Sequence, residues 1–225
     1  MKTNGDVQAV NRVRELGDGE KVQHVAVPKP NLQIAEFLIR GTAPYVQNNF
    51  SKKSREAMKA KQEAGSVAKK GQKREAKNFE ECFLQSQHHS EEGWNGIPAA
   101  AFRAACVSAC RLVGFKMTLA KLSVFTMADG FDRLDGTPLV KITKGKPKHV
   151  EHAVILESGV RDIRARAMWD AGWEAKVRIR FDADQFTTHD VANLLKRVGM
   201  QVGIGEGRPD SKNSTGMGWG TFDVL

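Results

Sequence analysis

The residues of this chain able to do chemistry fall into a few groups, and the first is a run of charge. Between Lys52 and Lys77 stand ten basic and three acidic residues, which accounts for most of the formal net charge of +9. Apart from alanines, only Met58 and Val67 in the run are apolar, too little to anchor it to a core. Charge concentrated in this way suits a polyanion, because each phosphate neutralised releases counterions. The plainer reading is a solvated helix or disordered insertion. Its candidate contacts are Lys52, Lys53, Arg55, Lys59, Lys69, Lys70, Lys73 and Arg74. A second group is Arg161, Arg164, Arg166, Arg178 and Arg180, set in alternating sequence so that only some share a strand face. A third is Arg208 and Lys212, close to glycines that would let a phosphate chain approach the backbone.

Other chemistries fit less well. Gly203, Gly205 and Gly207 imitate a nucleotide loop, but Arg208 holds the place of the third fingerprint glycine and no Gly-Lys-Ser/Thr follows. No nucleotide cofactor is expected. Cys82, His88, His89, Cys106 and Cys110 offer zinc-ligand atoms without a Cys-x-x-Cys, and the Cys106/Cys110 pair lies in an alanine-rich apolar face where small core thiols are normal. Asp129, Asp132 and Asp135 are spaced by three, unlike the alternating ligands of a calcium loop. No metal is expected. His88, His89 and His149 are the candidates for a general base in metal-independent RNA cleavage, against the ordinary reading as surface histidines.

These groups need elements to carry them. Alternation predicts a strand over Leu32–Gly41, after a turn at Val27–Asn31. Phe79–Gln87 reads as a short helix or strand. Pro98 opens a helix reaching about Leu112, since proline is favoured at the first helical position. Arg103 lies in its first turns, where free N–H groups and the positive helix end attract phosphate. Lys116–Phe125 reads as another helix, and Pro138–Lys148 as a strand running into a basic turn. Val160–Trp169 and Trp173–Phe181 flank Asp170-Ala171-Gly172 and predict a β-hairpin. Thr187–Gly199 has a helix cap at each end. A Gly-rich loop and a terminal strand follow. This order fits an α+β fold with helices on one face of an antiparallel sheet, most commonly ferredoxin-like (RRM-like).

At 225 residues and 24.8 kDa, with 40% hydrophobic residues, the chain can bury one substantial core. A pI near 9.6 favours nucleic acid first and an acidic membrane second. Three cysteines, no signal-peptide core and no long apolar run point to the cytoplasm. The strands lack an aromatic cluster for base stacking, so a bound strand would be gripped by its backbone.

Three stretches together resemble a known family. "GIPAAAFRAA" (Gly96 to Ala105) resembles the Ile-Pro-Gly-Ser-Ser-Leu-Lys-Gly-Ala motif of the RAMP superfamily, the repeat-associated proteins of CRISPR effector complexes. "GIGEGRPDSKNSTGMGWGTFDV" is similar to that superfamily's Gly-rich loop and last strand, and "FLIRGTAPYVQNNFS" to its first strand and turn. Ala99-Ala100-Ala101 stands where the motif has Gly-Ser-Ser, Ala104 where it has glycine, and Val107 where it has a later arginine. The resemblance implies a ferredoxin-like core over residues 1–225, with a polar segment 1–30 and a projecting basic insertion at 51–80. It implies a non-enzymatic protein that coats single-stranded nucleic acid, RNA ahead of DNA, as a homo-oligomer or part of a larger ribonucleoprotein. A stand-alone relative carried by a phage or mobile element would share these features. The rival expectations are a RAMP-type endoribonuclease using the three histidines, and a phage structural or decoy protein that binds another protein.

Overall fold

Leu32, Ile34, Glu36, Leu38 and Arg40 alternate with Gln33, Ala35, Phe37 and Ile39, and this period of two builds strand β1 (Leu32–Gly41). In the computed structural model, which describes residues 27–49, 56, 59–60, 77–155, 159, 161–211 and 217–225, β1 pairs along most of its length with a later strand. The chain divides into two compact units, Met1–Asn31 and Leu32–Leu225, and of the first only residues 27–31 are described.

The second unit is α+β with two antiparallel sheets. Its strands are β1, β2 (Tyr45–Gln47), β3 (Gly96–Pro98), β4 (Val124–Thr126), β5 (Gly130–Phe131), β6 (Pro138–Lys144), β7 (Lys148–Ile155), β8 (Arg161–Trp169), β9 (Glu174–Asp182) and β10 (Phe222–Val224). The larger sheet runs β10-β1-β9-β6-β3, with β4 also on β9 and β5 on β6; the smaller runs β2-β8-β7. The helices are α1 (Phe79–Gln85), α2 (Ala99–Ala109), α3 (Met117–Ser123) and α4 (Thr188–Arg197). Phe102, Ala105, Cys106 and Ala109 of α2 and Val191, Leu194 and Leu195 of α4 share one core with Ile39, Val177, Ile179 and Phe181 of the sheet. Cys106 and Cys110 are buried there as free thiols, and burial pushes Cys106 up to about 12. No described helix is long and apolar enough to cross a membrane.

Three local expectations are corrected. Strands β8 and β9 both form where their alternation says, yet they are not a hairpin: β8 pairs with β7 and β2, and β9 with β1, β6 and β4. The cause lies in the two tryptophans beside the turn. Trp169 and Trp173 are both fully buried against Tyr45, with ring centroids 5.5 and 5.6 Å from it. The turn between them is bonded to the end of β1, Gly172 N–H to Gly41 O and Gly41 N–H to Trp173 O, both at 2.8 Å. It therefore hands the chain from one sheet to the other. Pro98 is the N-cap of α2 and the last residue of β3 (φ −53°, ψ 123°), so the helix starts at Ala99. Its missing N–H is harmless at that strand end.

Helix α4 opens with the expected cap, a reciprocal box in which Thr187 and Asp190 satisfy each other's backbone N–H groups. Gly199 does not close it. The helix passes into a π-turn over Val198–Val202 and stops at Gly203. A Cβ at Gly199 would lie 1.9 Å from the Phe222 carbonyl oxygen, so this glycine exists for the close approach of β10.

Candidate nucleic-acid interface

The π-turn delivers the chain into the Gly-rich loop, which is folded on itself and fastened to its surroundings by backbone bonds. Ile204 N–H donates to Gly220 O (3.0 Å), Gly220 N–H to Pro44 O (2.7 Å), and Glu206 N–H to Val46 O of β2 (2.9 Å). A Cβ at Gly205 (φ 81°) would meet that Val46 oxygen at 2.5 Å, so glycine is what lets the loop lie against β2.

One side of the loop faces α2. Between them is a cleft of about 330 Å³, walled by Ala101, Ala104, Ala105 and Ser108 on the helix and by Val202–Gly205, Arg208 and Asp210 on the loop. The alanines that stand in the resemblance motif are what keep this space open. At its rim Arg111 Nη2 donates to both Asp210 carboxylate oxygens (2.8 and 2.7 Å), and Ser108 Oγ bonds the same carboxylate. The Ser108 hydroxyl first, then Arg111, holds Asp210 below the usual carboxylate range. Arg208 Nη1 donates to Gly205 O at 3.1 Å.

The other side of the loop lies on the smaller sheet. There Glu206 accepts from Arg164 Nη1 (2.9 Å) and Arg166 Nε (2.8 Å), with His152 Nε2 3.7 Å away and Trp219 edge-on to the His152 ring. Burial pushes the Glu206 carboxyl up, but His152, Arg166 and Arg164 outweigh it and hold it at about 2. Next along β8 is Asp162, which takes the ammonium of Lys77; Lys77 also donates to Ile163 O at 3.1 Å. Lys77, the last residue of the basic run, thus lies one step along β8 from Arg164.

This linkage has a pH consequence. A carboxylate at about 2 when folded and 4.5 in a free chain stabilises the fold above pH 4.5, and that share is lost as pH falls through 2. Its size is on the order of 3 kcal/mol. Stability measured by denaturant at pH 7 and near pH 2.5 should show this acid loss in the native chain. The loss should shrink in Glu206→Gln.

The expected site residues separate. Arg164, Arg166 and Arg208 converge on the Gly-rich loop. Arg178 and Arg180, on β9, lie in the other sheet, where Arg178 bonds Asp129 (2.8 Å) and Arg180 covers the Phe125 ring. Arg103 is exposed but does not line the cleft: it donates to Lys121 O and Val124 O (2.5 and 3.2 Å) and also lies over the Phe125 ring. Lys59 is exposed in a helical stretch. Lys52, Lys53, Arg55, Lys69, Lys70, Lys73, Arg74 and Lys212 lie outside the described residues.

The histidines do internal work. His88 is buried with Nδ1 2.7 Å from Asp132 Oδ2, and its N–H donates to Gln47 Oε1 (2.9 Å). His89 Nδ1 is 3.4 Å from Asn95 Nδ2, and burial holds the ring below the usual histidine range. His149 stacks on Phe83 and pairs with Glu80. Around His88 lies a connected belt of buried polar residues that sequence reasoning did not find. Gln47 Nε2 reaches Gly96 O, Asn49 Nδ2 reaches Gln87 O, and Ser86 Oγ accepts from Ala167 N–H. The belt ties Asn49, just before the basic run, to the residues that follow α1. Glu206, Asp210 and His152 were missed as well. The one available signal was an acid set between two glycines, two residues before Arg208.

Among the described residues no group of three His, Cys, Asp or Glu side chains is placed to hold a metal. Fold and site thus define an α+β protein with an arginine-lined Gly-rich loop. No protein-family model matches the chain, and no curated protein sequence is recognisably similar to it.

Proposed function

We propose that this protein binds single-stranded nucleic acid through its sugar-phosphate backbone, RNA ahead of DNA, as a multimer along the strand. The observation that carries the reading is convergence on the Gly-rich loop. Arg208 and Arg111 lie at its α2 side, Arg164 and Arg166 at its sheet side, and Lys77 brings the root of the basic run alongside. Cations set on both sides of a Gly-rich loop, with no aromatic residue lining its α2-side cleft, suit phosphate contacts that carry no sequence information.

The RAMP resemblance supports the same reading from a second side. Two of its three stretches, far apart in sequence, are the two walls of the cleft. The elements β1, α2, β6, β9, α4 and β10 follow a βαββαβ order, and four of them lie β10-β1-β9-β6 in the sheet, as a ferredoxin-like core would have them. Burial of His88, which keeps its ring from a bound strand, favours binding without strand cleavage.

The test is a salt titration of binding to labelled oligouridylate and to a mixed-sequence RNA. Each phosphate engaged contributes a log–log slope of about −0.7, so a steep slope common to both RNAs is expected. Absence of binding at low salt, or a flat slope, overturns the proposal.

A further inference from the structure

We infer that Glu206 occupies a phosphate site: Arg164, Arg166 and His152 form an anion pocket that the Gly-rich loop closes with its own carboxylate, and a backbone phosphate of the bound strand takes its place. The inference rests on the strand-binding reading only for the source of the phosphate.

The first support is the fit of the carboxylate, which is incomplete. Its two oxygens are spent one each on Arg164 Nη1 and Arg166 Nε, at 2.9 and 2.8 Å. His152 Nε2 is left 3.7 Å away, beyond hydrogen-bond reach, and His152 Nδ1 is buried with no partner among the described residues. A tetrahedral phosphate presents more acceptor oxygens, spread wider, and can serve both guanidiniums and the imidazole together. The second support is charge. Two guanidiniums face one carboxylate, and the nearest other acid on this face, Asp162, is taken by Lys77. The pocket keeps a positive excess that an anion of higher charge would neutralise. The third is access. Arg164 is about one-third exposed, so an anion can meet it before Glu206 leaves. Glu206 can leave by rotation about its own side-chain torsions while its N–H stays bonded to Val46 O. Lys77, bonded one position along β8, continues the track towards the basic run.

A carboxylate that merely fastens the loop predicts the opposite result on removal, so the two roles separate cleanly. Glu206→Gln keeps the shape and removes the competing charge. The variant should bind oligouridylate about tenfold tighter than the native chain, with a log–log salt slope steeper by about 1. Inorganic phosphate should raise its Tm while leaving that of the native chain nearly unmoved. Arg166→Ala placed in the Glu206→Gln background should cancel both gains. Equal or weaker RNA binding together with no phosphate-dependent Tm shift overturns the inference. If the native chain fails to bind RNA at low salt, the strand-binding reading falls, and the phosphate shift of Glu206→Gln still decides the anion pocket. Should Glu206→Gln lose its fold, Glu206→Asp, with a shorter reach to both arginines, must tighten RNA binding in the same direction; no tightening overturns it.

Discussion

Gly220→Ala should destabilise the protein by about 3 kcal/mol or more, against about 1 kcal/mol for Gly218→Ala two residues earlier. Both glycines have left-handed backbone, at φ 71° and 67°, so each substitution carries the strain of an L-residue there. They differ in what the added Cβ meets. At Gly218 nothing lies within 4 Å, whereas at Gly220 the Cβ would be 1.7 Å from the Ile204 carbonyl oxygen. That neighbour is backbone and cannot rotate aside. It can only move by breaking the Ile204–Gly220 bond (3.0 Å) and the Gly220–Pro44 bond (2.7 Å) that hold the loop closed. The measurement is the urea midpoint at constant m, with RNA affinity read alongside. Equal costs for the two variants would mean that the loop is not packed as described.

The second large effect is on binding. Replacing Lys52, Lys53, Arg55, Lys59, Lys69, Lys70, Lys73 and Arg74 together by glutamine should weaken RNA binding on the order of a thousandfold near physiological salt, and roughly halve the log–log slope. Folding should be little affected, because the run has almost no apolar residue that could join a core. The same number of lysines removed from elsewhere on the surface is the control. If the two sets cost the same affinity, binding is a matter of net charge. If the basic run costs far more, its placement between Asn49 and Lys77, at the root of the arginine face, is what counts.

The buried polar belt joins the described residues on the two sides of the basic run. Gln47, Asn49, Ser86 and His88 are each at most 7% exposed; Gln47 and Asn49 bond residues that follow α1, and Ser86 bonds Ala167 of β8. Unpaired, such groups would cost about 1–3 kcal/mol apiece. Paired, they fasten β2 to the residues after α1.

How much of this the chain announces in advance differs from element to element. Strand β1, strands β8 and β9, the start of helix α2 to within a residue, and the N-cap of α4 at Thr187 all follow from local order. Alternation, caps and helix-forming runs act over a few residues, so they are written where they operate. The concentration of positive charge between Lys52 and Lys77 is likewise a property of sequence alone. Periodicity states which side chains share a face, and it is silent on which strand lies beside which. That was decided in three dimensions by Trp169, Trp173 and Tyr45, whose shared burial turns β9 away from β8 and sends Arg164 and Arg166 to one sheet, Arg178 and Arg180 to the other. The partnership of Glu206 with the first pair spans 40 and 42 positions. No local rule reaches so far: it arises because packing lays the Gly-rich loop on the smaller sheet, and the charges then find each other.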